Sequence, residues 1–128
     1  DDVTAREALA AGFHSCEAAL VASGCPAGST ALVMVLQAGG RAINLGWVGD
    51  CRAVLSRGGR ALLLTSDHTC ANARERARLQ RVGAEVAGGR LGGYLEVTRA
   101  FGGCVPSCAS AREGGEDAGA GAGAGAGA

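Results

Sequence analysis

Asp50 is the residue of this chain best placed to do chemistry. It follows the apolar Trp47-Val48 and a glycine, and it precedes Ala53-Val54-Leu55. A carboxylate between two apolar runs is costly unless it is exposed, hydrogen-bonded or bound to a cation. Gly49 permits a sharp turn that aims Asp50 into a cleft. The competing reading, a β-turn cap, is a common role of Asp and the simpler one from local sequence alone. Asp67-His68 offers a base with a carboxylate to orient it. Adjacent residues rarely face each other, however, and only Ser66 and Thr69 are at hand as nucleophiles, so a polar loop leading to Asn72 is the simpler reading. Cys51 beside Arg52 has the neighbour of a reactive thiol and reads equally as a small strand residue. Gly28-Ser29-Thr30 offers backbone amides to a phosphate. It lacks the Gly-Lys-Ser/Thr ending of a P-loop and by itself reads as a turn into a strand. Nothing forms a complete triad, and Asp67 is the other acid of the middle segment available to join Asp50 at a metal.

The elements that must carry these residues follow from periodicity and punctuation. Thr4-x-x-Glu7 is a capping-box pattern, and behind it Leu9, Phe13, Cys16 and Leu20 recur at helical spacing. This predicts an amphipathic helix over 5–23 that packs on the core, with His14 exposed. Ser29 to Leu36 is almost continuously apolar and reads as a buried strand. Further strands are expected over 41–48, 53–56 and 61–64, with turns at Ala38-Gly39-Gly40 and Gly58-Gly59. A meander of this kind pairs antiparallel. Asn72-x-x-Glu75 opens a second helix that ends near Val82, with Gly83 as its stop. Its Arg74, Arg76, Arg78 and Arg81 could meet phosphate or nucleic acid, but a solvated face is the simpler reading. Short strands are expected at Val86, Arg90-Leu91 and 94–97. The order of helix, strands, helix and strands indicates an α+β fold.

Composition narrows the function classes. The 128 residues hold twelve basic and twelve acidic side chains, so net charge is zero. No global field attracts nucleic acid or a membrane, and the few aromatics argue against base stacking. Every basic residue is Arg, which reads as coding bias. The six cysteines are scattered with no Cys-x-x-Cys pair, so no zinc site is expected and free thiols of a reducing, intracellular compartment are. No apolar run reaches the roughly 18 residues of a membrane span, and no signal peptide is visible. The chain begins at Asp1, not Met, so its natural start is expected elsewhere. From about Glu113 onward it is Gly, Ala and acid, with no side chain large enough to offset ordering entropy.

Four blocks carry a resemblance. They are Gly28-Ser29-Thr30-Ala31, Val48-Gly49-Asp50-Cys51-Arg52-Ala53-Val54-Leu55, Leu64-Thr65-Ser66-Asp67-His68 and Leu95-Glu96-Val97-Thr98-Arg99-Ala100-Phe101-Gly102. In that order they resemble the middle of a metal-dependent Ser/Thr protein phosphatase of the type 2C family, in its plant form, over roughly residues 8–102. The resemblance implies part of an α-β-β-α sandwich, antiparallel sheets flanked by helices. It implies two or more Mg²⁺ or Mn²⁺ ions activating a water that attacks phosphoserine or phosphothreonine directly, with phosphoproteins as substrates. Asp50 stands at the family's metal-cleft aspartate, implicated in the weaker third site, which reverses the local preference for a turn cap. Thr30 stands near the metal shell. Asp67-His68 matches a segment not known for ligation.

The departures matter as much. The family's Glu-Asp pair and Asp-Gly-His-Gly-Gly segment, which supply the core ligands and the acid histidine, are absent before the first helix. No Asp-Gly or Asp-Asn occurs anywhere. Glu116-Asp117 lacks the expected context, and Gly103 stands where the family has aspartate. The expectation is a partial phosphatase domain over 1–103 and a low-complexity, disordered tail over 104–128. No catalytic residue is expected within the chain, and the piece is expected to be inactive alone, in a cytoplasmic or nuclear protein. The alternatives are a truncated pseudophosphatase acting as a binding or regulatory module, and a gene-model product without a role.

Overall fold

Helix α1 (Asp2–Ser23) begins three residues ahead of the start marked by Thr4, so Thr4 lies within its first turn and does not cap it. Extending a nucleated helix costs little, and nothing in Asp2-Val3-Thr4 breaks one. The computed structural model describes residues 2–37 and 39–103. The expected tail, with Cys104, Cys108 and Glu116-Asp117, lies outside the described residues. After α1 come β1 (Gly28–Ser29), β2 (Ala31–Leu36), β3 (Ile43–Val48), β4 (Val54–Arg57) and β5 (Arg60–Leu63). Helix α2 (Ala73–Arg81) follows, then β6 (Val86–Ala87), β7 (Arg90–Leu91) and β8 (Phe101–Gly102). The α+β class holds, and every strand pair is antiparallel: β2 with β3, β4 with β5, β6 with β7, and β1 with β8. This arrangement is consistent with part of the α-β-β-α sandwich.

The core is built on β3. Leu45 and Trp47 are buried on it, and Phe13 of α1 is the buried anchor from the other side. Phe13 seats where Gly46 has no side chain; a Cβ there would stand 3.0 Å from the ring. The rings of Phe13 and Phe101 lie 5.0 Å apart at 42°. Glu17 accepts the Gly102 N–H at 2.8 Å. One apolar and one polar contact thus fasten α1 to β8, which pairs in turn with β1.

Two expectations are corrected. The 94–97 segment is not a strand: it contributes only the isolated bridges Leu91↔Leu95 and Thr69↔Val97. The Gly92-Gly93 turn folds it straight back, with Leu91 N–H donating to Leu95 O at 2.8 Å. Strand β2 is a strand but is not buried: Val33, Met34 and Leu36 are 43%, 53% and 58% exposed. Its apolar run suits a strand covered on both faces, but among the described residues it pairs with β3 alone. Between β2 and α1 lies an open groove of about 390 Å³, lined in part by Leu9, Phe13, Val33, Val35 and Phe101.

An edge strand this apolar favours self-association. Sedimentation velocity on the 128-residue chain at micromolar concentration is expected to show species larger than a monomer. The double substitution Met34→Lys with Leu36→Lys is expected to shift them toward monomer. A monodisperse wild-type monomer would contradict this.

Candidate functional site

The register of β2 and β3 pairs Ala31 with Val48, which brings Thr30 beside Gly49 at one end of the hairpin. Gly49 has φ +88°, and a Cβ on it would overlap Thr30 Cγ2 and lie 2.7 Å from Thr30 Cβ. The same Cβ would lie 3.4 Å from Arg99 O. Gly49 O accepts the His68 N–H at 3.0 Å. The turn is therefore walled by Thr30 and Arg99 and tied to the 64–68 segment, and Asp50 emerges from it exposed. The two sequence candidates, Asp50 and Thr30, are brought together at this end.

Asp67 and His68 are not. The Asp67 carboxylate faces Arg52, with Nε to Oδ1 at 3.0 Å and Nη2 to Oδ2 at 2.5 Å. The Arg52 hydrogen bond holds its carboxyl below the ordinary range. The Asp67 carbonyl accepts from Asn72 Nδ2 at 3.0 Å. His68 is buried and stacks on Trp47, 5.7 Å between centroids and 6° between planes. Burial, then the charge of Arg99, pushes its pKa down, so the imidazole is neutral near pH 7. The polar-loop reading of this segment is the one the geometry supports. The loop is itself pinned by Trp47 Nε1 donating to Ser66 O at 2.9 Å. Cys51 is half-buried, and Ser66 and His14 are exposed.

The best-organised polar cluster is one that the sequence reading missed. Asn72 caps α2 as expected, accepting the Arg74 N–H at 2.9 Å, but Glu75 does not complete the capping box. It is buried and receives Thr98 Oγ1 at 2.6 Å, Arg78 Nη2 at 2.8 Å and Arg99 Nη2 at 2.7 Å. Arg99 Nε adds a contact at 3.0 Å. Thr98 N–H donates to His68 O at 2.7 Å, and Arg78 Nη2 donates to Thr98 O at 3.1 Å. One signal was available: Glu75 lies four residues before Leu79, on the same face of α2, and both are buried. The solvated-face reading of the α2 arginines holds for Arg74 and Arg81. It fails for Arg78, and Arg76 is turned back onto the carbonyls of Cys70 and Ala71 at 3.0 and 2.8 Å.

Compared with known proteins, residues 5–106 match the family model described as protein phosphatase 2C. The chain belongs to the protein phosphatase 2C family. It is 39% identical over 92 residues to "Probable protein phosphatase 2C 22" of Arabidopsis thaliana, covering 72% of this chain and 23% of that protein. It is 44% identical over 75 residues to "Probable protein phosphatase 2C 27" of Oryza sativa subsp. japonica, 59% of this chain and 21% of that one. The mouse "Probable protein phosphatase 1N" is 39% identical over 100 residues, 76% of this chain and 24% of the relative. The chain thus spans under a quarter of the length of these curated relatives.

Membership raises the question of Mg²⁺ or Mn²⁺. Among the described residues no three His, Cys, Asp or Glu side chains come together as a metal would require. Asp67, the other acid near the turn, is engaged by Arg52. These residues do not by themselves fit a hydrolytic metal pair, which takes several carboxylates. Among the described residues no helix is long and apolar enough to cross a membrane.

Proposed function

We propose that this protein phosphatase 2C segment belongs to a protein Ser/Thr phosphatase that hydrolyses phosphoserine and phosphothreonine in phosphoproteins with Mg²⁺ or Mn²⁺. In this reading Asp50 contributes one carboxylate to the metal cleft, and Thr30 backs the turn that presents it. The observation that carries the reading is the exposed Asp50 on a positive-φ glycine seated against Thr30, within the stretch that matches the family. The foldable unit is 1–103, with 104–128 as an appended low-complexity tail. The chain alone is an incomplete, inactive piece, because one carboxylate cannot hold two metals. The free thiols at Cys16, Cys25, Cys51 and Cys70 fit a reducing compartment, the cytoplasm or nucleus. A second reading, a truncated relative that binds or regulates a partner, is favoured by the lack of a three-ligand cluster among the described residues.

Phosphate release from a phosphothreonine peptide separates the two readings. The 128-residue chain is expected to release none above control in millimolar Mn²⁺. Residues 5–103, grafted in place of the matched quarter of the Arabidopsis relative, are expected to support Mn²⁺-dependent release where the unmodified relative does. Asp50→Asn in that graft is expected to lower kcat by about 10²-fold or more, the scale of losing one electrostatic group at a reacting centre. A folded graft that is inactive, or one indifferent to Asp50→Asn, overturns the phosphatase reading of this site.

A further inference from the structure

We propose that Glu75 is the positioning residue of the Asp50 turn, acting through the 98–99 segment. The inference deepens the reading of Asp50 given above and rests on it for its functional sense. The path consists of contacts in sequence. The Glu75 carboxylate gathers Thr98 Oγ1 at 2.6 Å and Arg99 Nη2 at 2.7 Å, which fixes the backbone of both residues against α2. From there Thr98 N–H holds His68 O at 2.7 Å, and His68 N–H holds Gly49 O at 3.0 Å. Arg99 O forms one wall of the pocket in which Gly49 has no side chain, 3.4 Å from where a Cβ would stand. One hydrogen-bonded route therefore runs from a single buried carboxylate to the residue preceding Asp50, and Arg99 O lies beside the space that this glycine leaves open.

The placement explains why a charged side chain sits on the buried face of a nine-residue helix. A leucine there would hold neither Thr98 nor Arg99. Buried polar networks restrict the alternatives open to a segment when every member is satisfied. Here the restricted segment is the one that meets Gly49. Asp50 is exposed, and the residue before it is held through Gly49 O by the His68 N–H.

Hydrogen exchange with mass spectrometry on the full chain at low micromolar concentration tests this, because local and global opening separate in such data. In Glu75→Gln, amide protection in the peptide containing His68 is expected to fall at least tenfold relative to the peptide covering β3. A merely structural role would lower protection in both peptides by the same factor, and that result overturns the proposal. If Glu75→Gln does not fold, Thr98→Val removes one donor to the carboxylate and leaves the charge pairs; it is expected to show the same selective loss, smaller in size. Equal protection of the His68 peptide in wild type and both variants also overturns it. The readout does not depend on phosphatase activity. A selective loss beside an inactive graft would refute the reading of Asp50 alone, and an active graft without the selective loss would refute the role of Glu75 alone.

Discussion

Replacing Glu75 with alanine is expected to remove about 3–5 kcal/mol of stability at neutral pH, the usual cost of taking one partner out of a buried ion pair. The lower end is the better expectation, because Arg78 and Arg99 keep 20% and 18% of their side-chain exposure and water can reach them. Against a total of about 5–15 kcal/mol for a domain, that loss is a large fraction. Trp47 is the single tryptophan and is buried, so its emission during a urea titration reports the change. A loss under about 0.5 kcal/mol, ordinary for a surface substitution, would mean that the carboxylate is not enclosed as described.

The same residue sets the acid limit of the fold. Burial pushes the Glu75 carboxyl up, but hydrogen bonds from Arg99, Arg78 and Thr98 outweigh it and hold the group well below the usual carboxylate range. The unfolded chain then takes up this proton before the folded one does. The stabilisation is complete above the ordinary glutamate value of about 4.3 and is lost as pH falls below it. His68 works in the same direction at higher pH. Its imidazole is kept neutral mainly by burial, so the unfolded state gains its proton first as pH falls through about 6.5. Wild type is expected to weaken in two stages; Glu75→Ala is expected to keep the upper one and, of the lower, only the share of Asp67, whose carboxyl Arg52 also holds down.

Gly49→Ala is the second large effect, at about 2–5 kcal/mol. A left-handed backbone costs an ordinary residue about 1–2 kcal/mol, and forcing a methyl into a filled site costs about 1–3 more. The obstacle is Thr30, whose Cγ2 the new Cβ would overlap. In a Thr30→Gly background the same substitution is therefore expected to cost only the backbone share. The double-mutant cycle should give a coupling of about 1–3 kcal/mol. Strict additivity would show that Thr30 is not the wall of the turn.

How much of this was legible beforehand depends on how far apart the interacting groups lie along the chain. Helix α2 is legible within a residue at each end, because Asn72 and Gly83 act on neighbours within one turn. The β4·β5 hairpin is legible for the same reason, since Gly58-Gly59 closes it locally. The start of α1 was misplaced because a capping pattern names a place where a helix can begin, and extension past it is cheap. Local rules could not resolve the burial of β2, because a run of apolar residues records what a strand tolerates and not what lies against it. Asp50 was singled out by its residue type and its glycine, and by family likeness, without any sight of what surrounds it.

What the sequence by itself determined is the two helices, the strands β2 to β7 with their antiparallel meander and the candidate carboxylate, but neither β1 nor β8, which pair across the chain. Only the tertiary structure decided that Thr30 and Arg99 wall the Gly49 turn. The same is true of Asp67 turning to Arg52 in place of His68, and of Glu75 turning inward in place of capping α2. Glu75 meets Thr98 and Arg99 across 23 and 24 residues, and Asp67 meets Arg52 across 15. Pairing charges at that separation, buried as at Glu75 or exposed as at Arg52, is a property of packing, and no signal within a helical turn or a strand period encodes it.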